Sequence, residues 1–292
     1  MAKIYKVMLN NDAVVCIIDA KDVVSEAVRL HTLSKTATDA LGRALIATTF
    51  MSSQMKGDKN KLSVTIDGNG GLGKITTAGT NRAVRGFVEN PTFDCAPTAD
   101  GRVDVSTAVG REGTLTVIKD VGMKEPYVGK TELITGEISQ DFAYYFTVSE
   151  QSPSAVALGV KVECDQNGIA DNVISAGGVF VQPLPGCNDY VITMLEDIVS
   201  NFTDFGAMLT EKTPEEIIEF YFGAFEMKRF DATDIEYKCA CSKERMDGII
   251  KSLGKNEVKD IINTQGSVEI RCEFCSGVYT YTKEDVDAIF GE

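Results

Sequence analysis

Four cysteines in two tight pairs are the residues of this chain best suited to chemistry. Cys239 and Cys241 are separated by one residue, and Cys272 and Cys275 by two. A Cys-x-x-Cys turn directs two thiolates at one point, and zinc takes four ligands tetrahedrally with sulfurs at about 2.3 Å. The sequence therefore predicts one Zn²⁺ ion held by these four thiolates.

Cysteine alone must supply the ligands of this site. His31 is the single histidine of the chain, and it lies far from both pairs in the sequence. A soft metal suits four thiolates, and a typical three-histidine catalytic centre is excluded. An iron–sulfur cluster is the alternative.

The spacing of the first pair also favours a redox role, although most four-cysteine zinc sites are structural. A Cys-x-Cys pair holds two thiolates very close, and it could form a local disulfide that opens again on reduction. A segment of about 60 residues buries little surface by itself. Structural zinc supplies an apparent ~10–16 kcal/mol, against the ~5–15 kcal/mol net stability of a whole domain. Oxidation of the thiolates could therefore unfold this segment.

The overall charge and hydropathy exclude several classes of partner. The 292 residues include 43 acidic and 29 basic ones, a net charge of −14, which repels phosphate backbones. No apolar stretch reaches signal-peptide length or the ~18 residues of a membrane span. We therefore expect a cytoplasmic protein that binds neither nucleic acid nor membrane, with its cysteines reduced.

Four further cysteines are scattered singly, and the sequence assigns them no role. Cys16 lies within an apolar run and is interpreted as a small buried hydrophobe. The others are Cys95, Cys164 and Cys187. His31 is expected to make a structural hydrogen bond near the end of a helix.

Hydrophobic periodicity predicts an α+β fold in three parts. Residues 1–183 form an N-terminal sheet-and-helix α/β domain that ends at a Pro/Gly break, residues 184–230 an amphipathic helical linker, and residues 231–292 a small zinc domain. Strands are expected at residues 3–9, 14–18, 62–66, 74–77, 83–88, 114–118, 156–162 and 173–181, and helices at 23–30, 36–55 and 138–148.

The linker and the zinc domain have their own signals. In the linker, one helix has an apolar face from Val191 to Phe202, and another begins at a capping box formed by Thr213 and Glu216. The zinc domain has a helix that ends at Gly254, and two strands that flank the second cysteine pair. Because an amphipathic helix is stable mainly when its apolar face is buried, an undocked linker would be sticky.

These features together resemble the bacterial heat-shock-protein-33 family, the redox-regulated holdase chaperones. The resemblance rests on residues 29–43 (RLHTLSKTATDALGR), 113–120 (GTLTVIKD) and 151–160 (QSPSAVALGV), and on both cysteine pairs, and it spans nearly the whole chain. It implies a non-enzymatic, ATP-independent chaperone of the stress response that binds unfolding client proteins. The reduced, zinc-bound form is inactive in that family.

The resemblance also implies how the switch works. Oxidation would form one disulfide between Cys239 and Cys241 and another between Cys272 and Cys275, release zinc, unfold the C-terminal domain and linker, and expose apolar surface. The active form would be a homodimer. The client-binding residues, the required oxidant or heat, and the oligomeric state of the reduced form are left open.

Other interpretations of the motifs are weaker. Residues 68–73 fit G-x-G-x-x-G, but a strand rather than a helix is predicted after them, so a tight hairpin is favoured over a phosphate-binding loop. A thioredoxin-like centre would need the Cys-x-x-Cys at a helix start. The alternative functions are a zinc-ribbon nucleic-acid or ribosome-associated binding protein, which the charge disfavours, and a thiol oxidoreductase.

Overall fold

The chain forms two compact units, Met1–Lys238 and Cys239–Glu292. The structure is a computed structural model that describes residues 1–57 and 59–291. Helices and a largely antiparallel sheet make up the first unit, and the second has its own helices and a two-stranded sheet. The predicted α+β class is confirmed.

One 11-stranded sheet organises the described part of the first unit. Its strands are β1 (Ala2–Leu9), β2 (Ala13–Asp19), β3 (Lys61–Asp67), β4 (Ile75–Gly79), β5 (Ala83–Val88), β6 (Thr114–Asp120), β7 (Tyr127–Glu132), β8 (Ala155–Cys164), β9 (Ala170–Pro183), β10 (Met227–Arg229) and β11 (Thr233–Tyr237). The order is β7-β6-β3-β4-β5-β11-β1-β2-β9-β8, and β10 also pairs with β1. All pairs are antiparallel except β11 with β5.

The helices of this unit fall into two groups by position in the chain. The helices before the linker are α1 (Lys21–Leu30), α2 (Lys35–Ser53), α3 (Val105–Val109) and α4 (Ile138–Val148). The helices of the linker are α5 (Asp189–Ser200), α6 (Phe205–Glu211) and α7 (Pro214–Phe222).

The strands β1, β2, β8 and β9 are apolar on both faces. In β2, Cys16 and Ile18 belong to the core that contains α1, α2 and α4, whereas Val15 and Ile17 belong to a second core. Alternate residues of a strand point to opposite faces. A sheet that is apolar on both sides needs a cover on both sides, and the first cover is α1, α2 and α4.

The linker helices cover the second face. The buried apolar side chains of these helices and of the turn between α5 and α6, all 8% exposed or less, are Val191, Leu195, Phe202, Phe205, Ile217, Ile218 and Phe222. They share one core with Val7 and Leu9 of β1 and with Val179 and Val181 of β9. A fully buried side chain of this size contributes about 1.5–3 kcal/mol. The predicted apolar face of the linker is therefore buried against the sheet.

Helix α6 approaches the sheet most closely because glycine lies at the contact. A Cβ atom at Gly159 of β8 would lie 2.2 Å from the backbone nitrogen of Gly206. The Ser175 hydroxyl donates a hydrogen bond of 2.6 Å to the Gly206 carbonyl. Lys161 and Asp204 form an ion pair of 2.6 Å beside this contact. Backbone proximity and polar pairing thus fix α6 on β8 and β9.

The family-like segment of residues 29–43 has a structural role in α2. The side chain of Ser34 caps α2 by accepting a hydrogen bond from the Ala37 N–H. In the middle of α2, the Arg43 guanidinium is paired with Asp39 at 2.7 Å and with Glu137 at 2.8 Å. Burial raises the pKa of the Glu137 carboxyl. This network joins α2 to the start of α4.

Most of the predicted elements are confirmed, with ends displaced by at most three residues. The Thr213–Glu216 capping box is present. In the first unit, the pattern missed α3, α6, β7, β10 and β11. The turn at residues 184–186 separates β9 from α5 as predicted, yet the linker helices lie in the first compact unit, and residues 233–237 are a strand of its sheet. Whether the three predicted parts act as separate functional domains stays a prediction.

No helix in the described ranges, 1–57 and 59–291, is long and apolar enough to cross a membrane.

Replacement of Gly159 by alanine should loosen helix α6. The added methyl group would collide with the Gly206 backbone, so we expect the first unit to lose about 1–3 kcal/mol of unfolding free energy. Urea denaturation followed by circular dichroism measures this loss. Asp171→Ala, an exposed change on β9, is the control and should stay within about 0.5 kcal/mol of wild type. Equal stability of the two variants would contradict the close approach.

Candidate metal centre

The second compact unit has a small core. Its elements are α8 (Lys243–Leu253), α9 (Lys255–Gln265), β12 (Val268–Arg271), β13 (Val278–Tyr281) and α10 (Lys283–Phe290). Its buried residues are Met246, Ile250, Val258, Ile262, Val268, Cys272, Tyr281 and Val286. So few buried side chains supply limited hydrophobic stabilisation, and small domains of this kind usually need a metal or a disulfide.

A tight knuckle between two strands positions the second cysteine pair. Strands β12 and β13 are antiparallel, and Arg271 pairs with Val278. The Cys272 N–H donates to the Gly277 carbonyl at 2.9 Å, and the Ser276 N–H donates to the Cys272 carbonyl at 2.8 Å. These bonds fold residues 272–277 back on themselves, so both sulfurs lie on the same side of the turn. The predicted strand-flanked knuckle is confirmed.

The first pair lies in irregular chain just before α8. Ser242 caps this helix by accepting a hydrogen bond from the Arg245 N–H at 3.4 Å. The Arg245 guanidinium in turn donates to the Ala240 carbonyl at 2.8 Å. The residue between Cys239 and Cys241 is therefore held by the first turn of the helix that follows.

The four sulfurs converge. The Sγ atoms of Cys239, Cys241, Cys272 and Cys275 all lie within 4.8 Å of one another. The distance is 3.6 Å between Cys239 and Cys272, and 3.3 Å between Cys241 and Cys275. Four sulfurs at about 2.3 Å from a tetrahedral metal lie about 3.8 Å apart. The donor set and its spacing therefore fit one tetrahedral metal ion, and no disulfide links these cysteines.

Electrostatics distinguishes the four thiols. Burial raises the pKa of Cys239 and of Cys275. Burial also opposes ionisation of Cys241, but hydrogen bonds from the Tyr279 hydroxyl and from neighbouring thiols outweigh it and lower the pKa to about 7. The Tyr279 hydroxyl donates to the Cys241 sulfur at 3.2 Å, and this bond raises the tyrosine pKa to about 12. One thiolate is thus favoured, whereas ionisation of all four requires a nearby cation.

A second tyrosine fixes β13 to α8. Tyr281 is fully buried, and its hydroxyl donates to the Asp247 carboxylate at 2.9 Å. The Lys243 ammonium lies 4.5 Å from the centre of the Tyr281 ring. Because β13 follows the knuckle and α8 follows the first pair, this contact holds the two halves of the site together. The four cysteines were predicted from their spacing. The supporting residues Tyr279, Arg245 and Asp247 have no such spacing signal and were missed.

Known proteins resemble this chain over nearly its whole length. A family model described as Hsp33 protein matches residues 3–282. The chain belongs to the Hsp33 family. Proteins named 33 kDa chaperonin from Bacillus cereus strain G9842 and Bacillus anthracis strain CDC 684 are 40% and 39% identical over 267 residues, which cover 91% of this chain and 90% of each relative.

A solved structure agrees with this membership in the Hsp33 family. The crystal structure of a 33 kDa chaperonin from Thermotoga maritima, a heat shock protein 33 homolog, superposes with a TM-score of 0.89 at 32% identity. The alignment covers 99% of this chain and 97% of that one. The resemblance noted from the sequence is confirmed, and the family and the names of its members support a chaperone.

The scattered cysteines lie outside the candidate centre of this Hsp33-family chain. Cys16 is buried, as expected, and burial raises its pKa to about 12. Burial also raises the pKa of Cys164 and of Cys187, and Cys95 is partly buried. None of these properties favours a reactive thiolate.

His31 and the glycine motif have structural surroundings. The Nε2 atom of His31 lies 3.5 Å from the Tyr237 hydroxyl, at the end of α1. Residues 68–74 join antiparallel strands β3 and β4, so the predicted hairpin is confirmed, with a longer loop than expected. Gly70 and Gly71 pack against the Val109 backbone and the Phe93 ring, where side chains would not fit. No helix begins there to face a phosphate.

Removal of the Tyr279 hydroxyl should make Cys241 less acidic. In reduced Tyr279→Phe protein freshly stripped of metal, under conditions where circular dichroism still shows the second unit folded, the Cys241 thiolate loses its hydrogen-bond donor. We therefore expect the pKa of Cys241 to rise above about 7 towards that of an ordinary thiol. The pH dependence of iodoacetamide labelling, followed by mass spectrometry of the Cys241 peptide, measures the shift. Tyr144→Phe removes an exposed hydroxyl from α4 in the first unit instead, and its Cys241 profile should match wild type. Identical profiles in both variants would exclude control by Tyr279.

Proposed function

We propose that this protein is a redox-regulated, ATP-independent holdase chaperone of a reducing, cytoplasmic compartment. The observation that carries the proposal is the convergence of four unpaired cysteine sulfurs within 4.8 Å in a unit with a small core. Membership in the Hsp33 family supports the chaperone part of this proposal. The thiols are the sensor, and the fold of the second unit is what they control.

In the reduced state, the four thiolates would hold one Zn²⁺ ion. The ion would supply a cross-link between the two cysteine pairs and the positive charge that four adjacent thiolates need. Cys239 and Cys241 precede α8, whereas Cys272 and Cys275 lie between β12 and β13. Metal binding would therefore tie the beginning of the unit to the turn between β12 and β13, and it adds an apparent ~10–16 kcal/mol in comparable small domains.

Oxidation would remove this cross-link. A thiolate attacks the O–O bond of a peroxide to give a sulfenic acid and releases hydroxide or water, and a second thiolate then displaces the sulfenic oxygen to give a disulfide. Each disulfide consumes one two-electron oxidant. We propose pairing of Cys239 with Cys241 and of Cys272 with Cys275, because each pair is joined by a short stretch of chain. Disulfide sulfurs are no longer thiolate ligands, so the second unit loses its metal and unfolds.

The linker would carry this change to the client-binding surface. Released linker helices would uncover the second face of the sheet, including Val7, Leu9, Val15, Ile17 and Val181, and expose their own apolar side chains. A large exposed apolar surface binds the apolar segments of unfolding proteins. This binding needs no nucleotide, and two active chains would associate as a dimer through the same kind of surface.

Paired measurements of metal and chaperone activity test the switch. We expect oxidation at mildly elevated temperature to release one zinc ion per chain to a chromogenic chelator and to suppress aggregation of an unfolding client. A thiol reductant with zinc should reverse both effects. Peptide mapping should find the two disulfides within the pairs, and disulfides between the pairs would contradict the proposed pairing.

Matched cysteine variants separate the switch from general thiol oxidation. A Cys95→Ser, Cys164→Ser, Cys187→Ser variant keeps the four converging sulfurs and should behave like wild type. Cys272→Ser removes one of them and should bind zinc more weakly and lose redox control. If zinc leaves the oxidised protein while the client still aggregates, or if the reduced wild type protects equally well, the redox-chaperone proposal is wrong.

A weakened linker should activate the chaperone with less oxidant. Ile217 of α7 is fully buried in the second core, so Ile217→Ala should weaken the docking of the linker by about 2–5 kcal/mol. We expect partial aggregation suppression by the reduced, zinc-bound variant. Glu215→Ala, an exposed change on the same helix, should leave the reduced protein inactive. Inactive reduced Ile217→Ala protein with a measurably less stable linker would rule out control by linker docking.

A further inference from the structure

A short strand from the end of the first unit joins the two halves of its sheet. One half is β7-β6-β3-β4-β5, and the other is β1-β2-β9-β8. Strand β11 lies between them, parallel to β5 and antiparallel to β1. Without β11, the edges of β1 and β5 would be separated by an open slot. We call this space between β1 and β5 the seam.

Strand β11 is held by few backbone pairs. Its first three residues pair with Ala2–Ile4 of β1, and its last two pair with Ala83 and Val84 of β5. No residue of β11 is paired on both sides. The Glu236 N–H donates to the Arg82 carbonyl at 3.1 Å, and the Lys238 N–H donates to the Val84 carbonyl at 3.0 Å. A strand in which each residue pairs with only one neighbouring strand opens more easily than a central strand whose residues pair on both sides.

Two side chains of β11 fill the seam. Ile235 is 4% exposed and belongs to the core under α1 and α2. The Tyr237 hydroxyl donates to the Gly86 carbonyl at 2.9 Å. Asp234 and Glu236, which alternate with them, are exposed. The seam thus receives an extended segment with apolar side chains inward and acidic side chains outward.

The rim of the seam complements these acidic residues. Lys3 lies opposite Asp234 in the β1 register, and Arg82 and Arg85 flank the β5 positions that pair with Glu236 and Tyr237. This basic rim occurs in a chain whose net charge is −14. Glu236 also forms an ion pair with Lys238 of its own segment at 2.9 Å, and Asp19 of β2 lies opposite Lys3. The basic side chains therefore favour segments that combine apolar and acidic residues, as β11 does, without requiring them.

The position of β11 in the chain couples it to the metal site. Strand β11 ends at Tyr237, and the first cysteine of the centre, Cys239, follows two residues later. A strand whose C-terminal neighbour is fixed in a folded unit loses less entropy on pairing than one that leads into a disordered tail. Unfolding of the second unit would therefore favour release of β11.

We propose that the seam is a docking slot for an extended segment of an unfolding client protein, and that β11 occupies it in the inactive state. This proposal rests on the redox-chaperone function proposed above. The client segment would add as a strand, so that backbone hydrogen bonds give affinity and tolerate many sequences. Apolar side chains would take the places of Ile235 and Tyr237, and acidic side chains would face the basic rim.

Photo-crosslinking of the full-length protein tests occupancy of the slot. A benzoylphenylalanine at Asn81, next to the β5 end of the seam, should crosslink reduced, carboxymethylated α-lactalbumin after oxidation and only weakly before it. The same probe at Lys61, an exposed position of β3 in the same sheet, is the control and should crosslink weakly in both states. A peptide of residues 232–238 should compete with the Asn81 crosslink. The same peptide with lysine in place of both acidic residues should compete poorly.

A second variant loosens β11 without changing the slot. Ile235→Ala should increase hydrogen exchange of the Glu236 and Lys238 amides by roughly 30-fold, and Ile235→Val by roughly threefold. Crosslinking at Asn81 in the reduced state should rise in the same order. If the Ile235→Ala variant does not fold, the Ile235→Val variant still tests this order.

The outcomes separate this inference from the function on which it rests. If oxidised protein suppresses aggregation while the Glu236 and Lys238 amides stay protected and Asn81 gives no client crosslink, the slot is excluded and the chaperone function stands. If Asn81 crosslinks a second copy of this chain in the absence of α-lactalbumin, the occupant is a partner subunit and the client proposal is overturned. If oxidised protein suppresses no aggregation, both proposals fail.

Discussion

Four strands with apolar residues on both faces set the main constraint on this protein. Strands β1, β2, β8 and β9 must be covered twice, because each exposed apolar face would cost free energy in water. Helices α1, α2 and α4 form one cover, and α5 to α7 form the other. The two covers differ in their position in the chain, since the helices of the second cover belong to the linker that precedes the small unit. Under the proposed function, the second cover would be the one released, while the first keeps the domain folded.

The small unit is suited to be the sensitive part of such an arrangement. Its core contains few large side chains, and its two cysteine pairs are separated by α8, α9 and β12. Loss of the proposed metal cross-link would then remove most of its stability, whereas the first unit has two extensive cores. The chemistry of four sulfurs is local, but the small size of the unit makes its effect on folding large.

The sequence predicted the parts of the fold whose signals are local. The Thr213–Glu216 capping box, the two cysteine pairs and the continuous apolar run of β2 each depend on neighbouring residues, and the structure contains all three. Helix α9 was missed although Val258, Ile261 and Ile262 have helical spacing, because Gly254 was interpreted as the end of the helical segment. Strand β11 was missed although its residues alternate, because it is only five residues long and its partners are distant in the chain. Tyr279 was assigned to a strand, but its bond to Cys241 depends on how the knuckle folds.

The pairing of β1 also constrains how the chain is made. Its edge is completed by β10 and β11, whose residues pair with β1 residues 218 to 233 positions earlier in the sequence. At ~5–20 residues per second, translation reaches them roughly 10 to 45 s after β1 has been synthesised. During that interval one edge of β1 is unpaired in the nascent chain, because β10 and β11 have not yet emerged from the ribosome. Completion of the first unit is thus timed by its last strand, so a message truncated before residue 227 would yield a sheet with that edge permanently open.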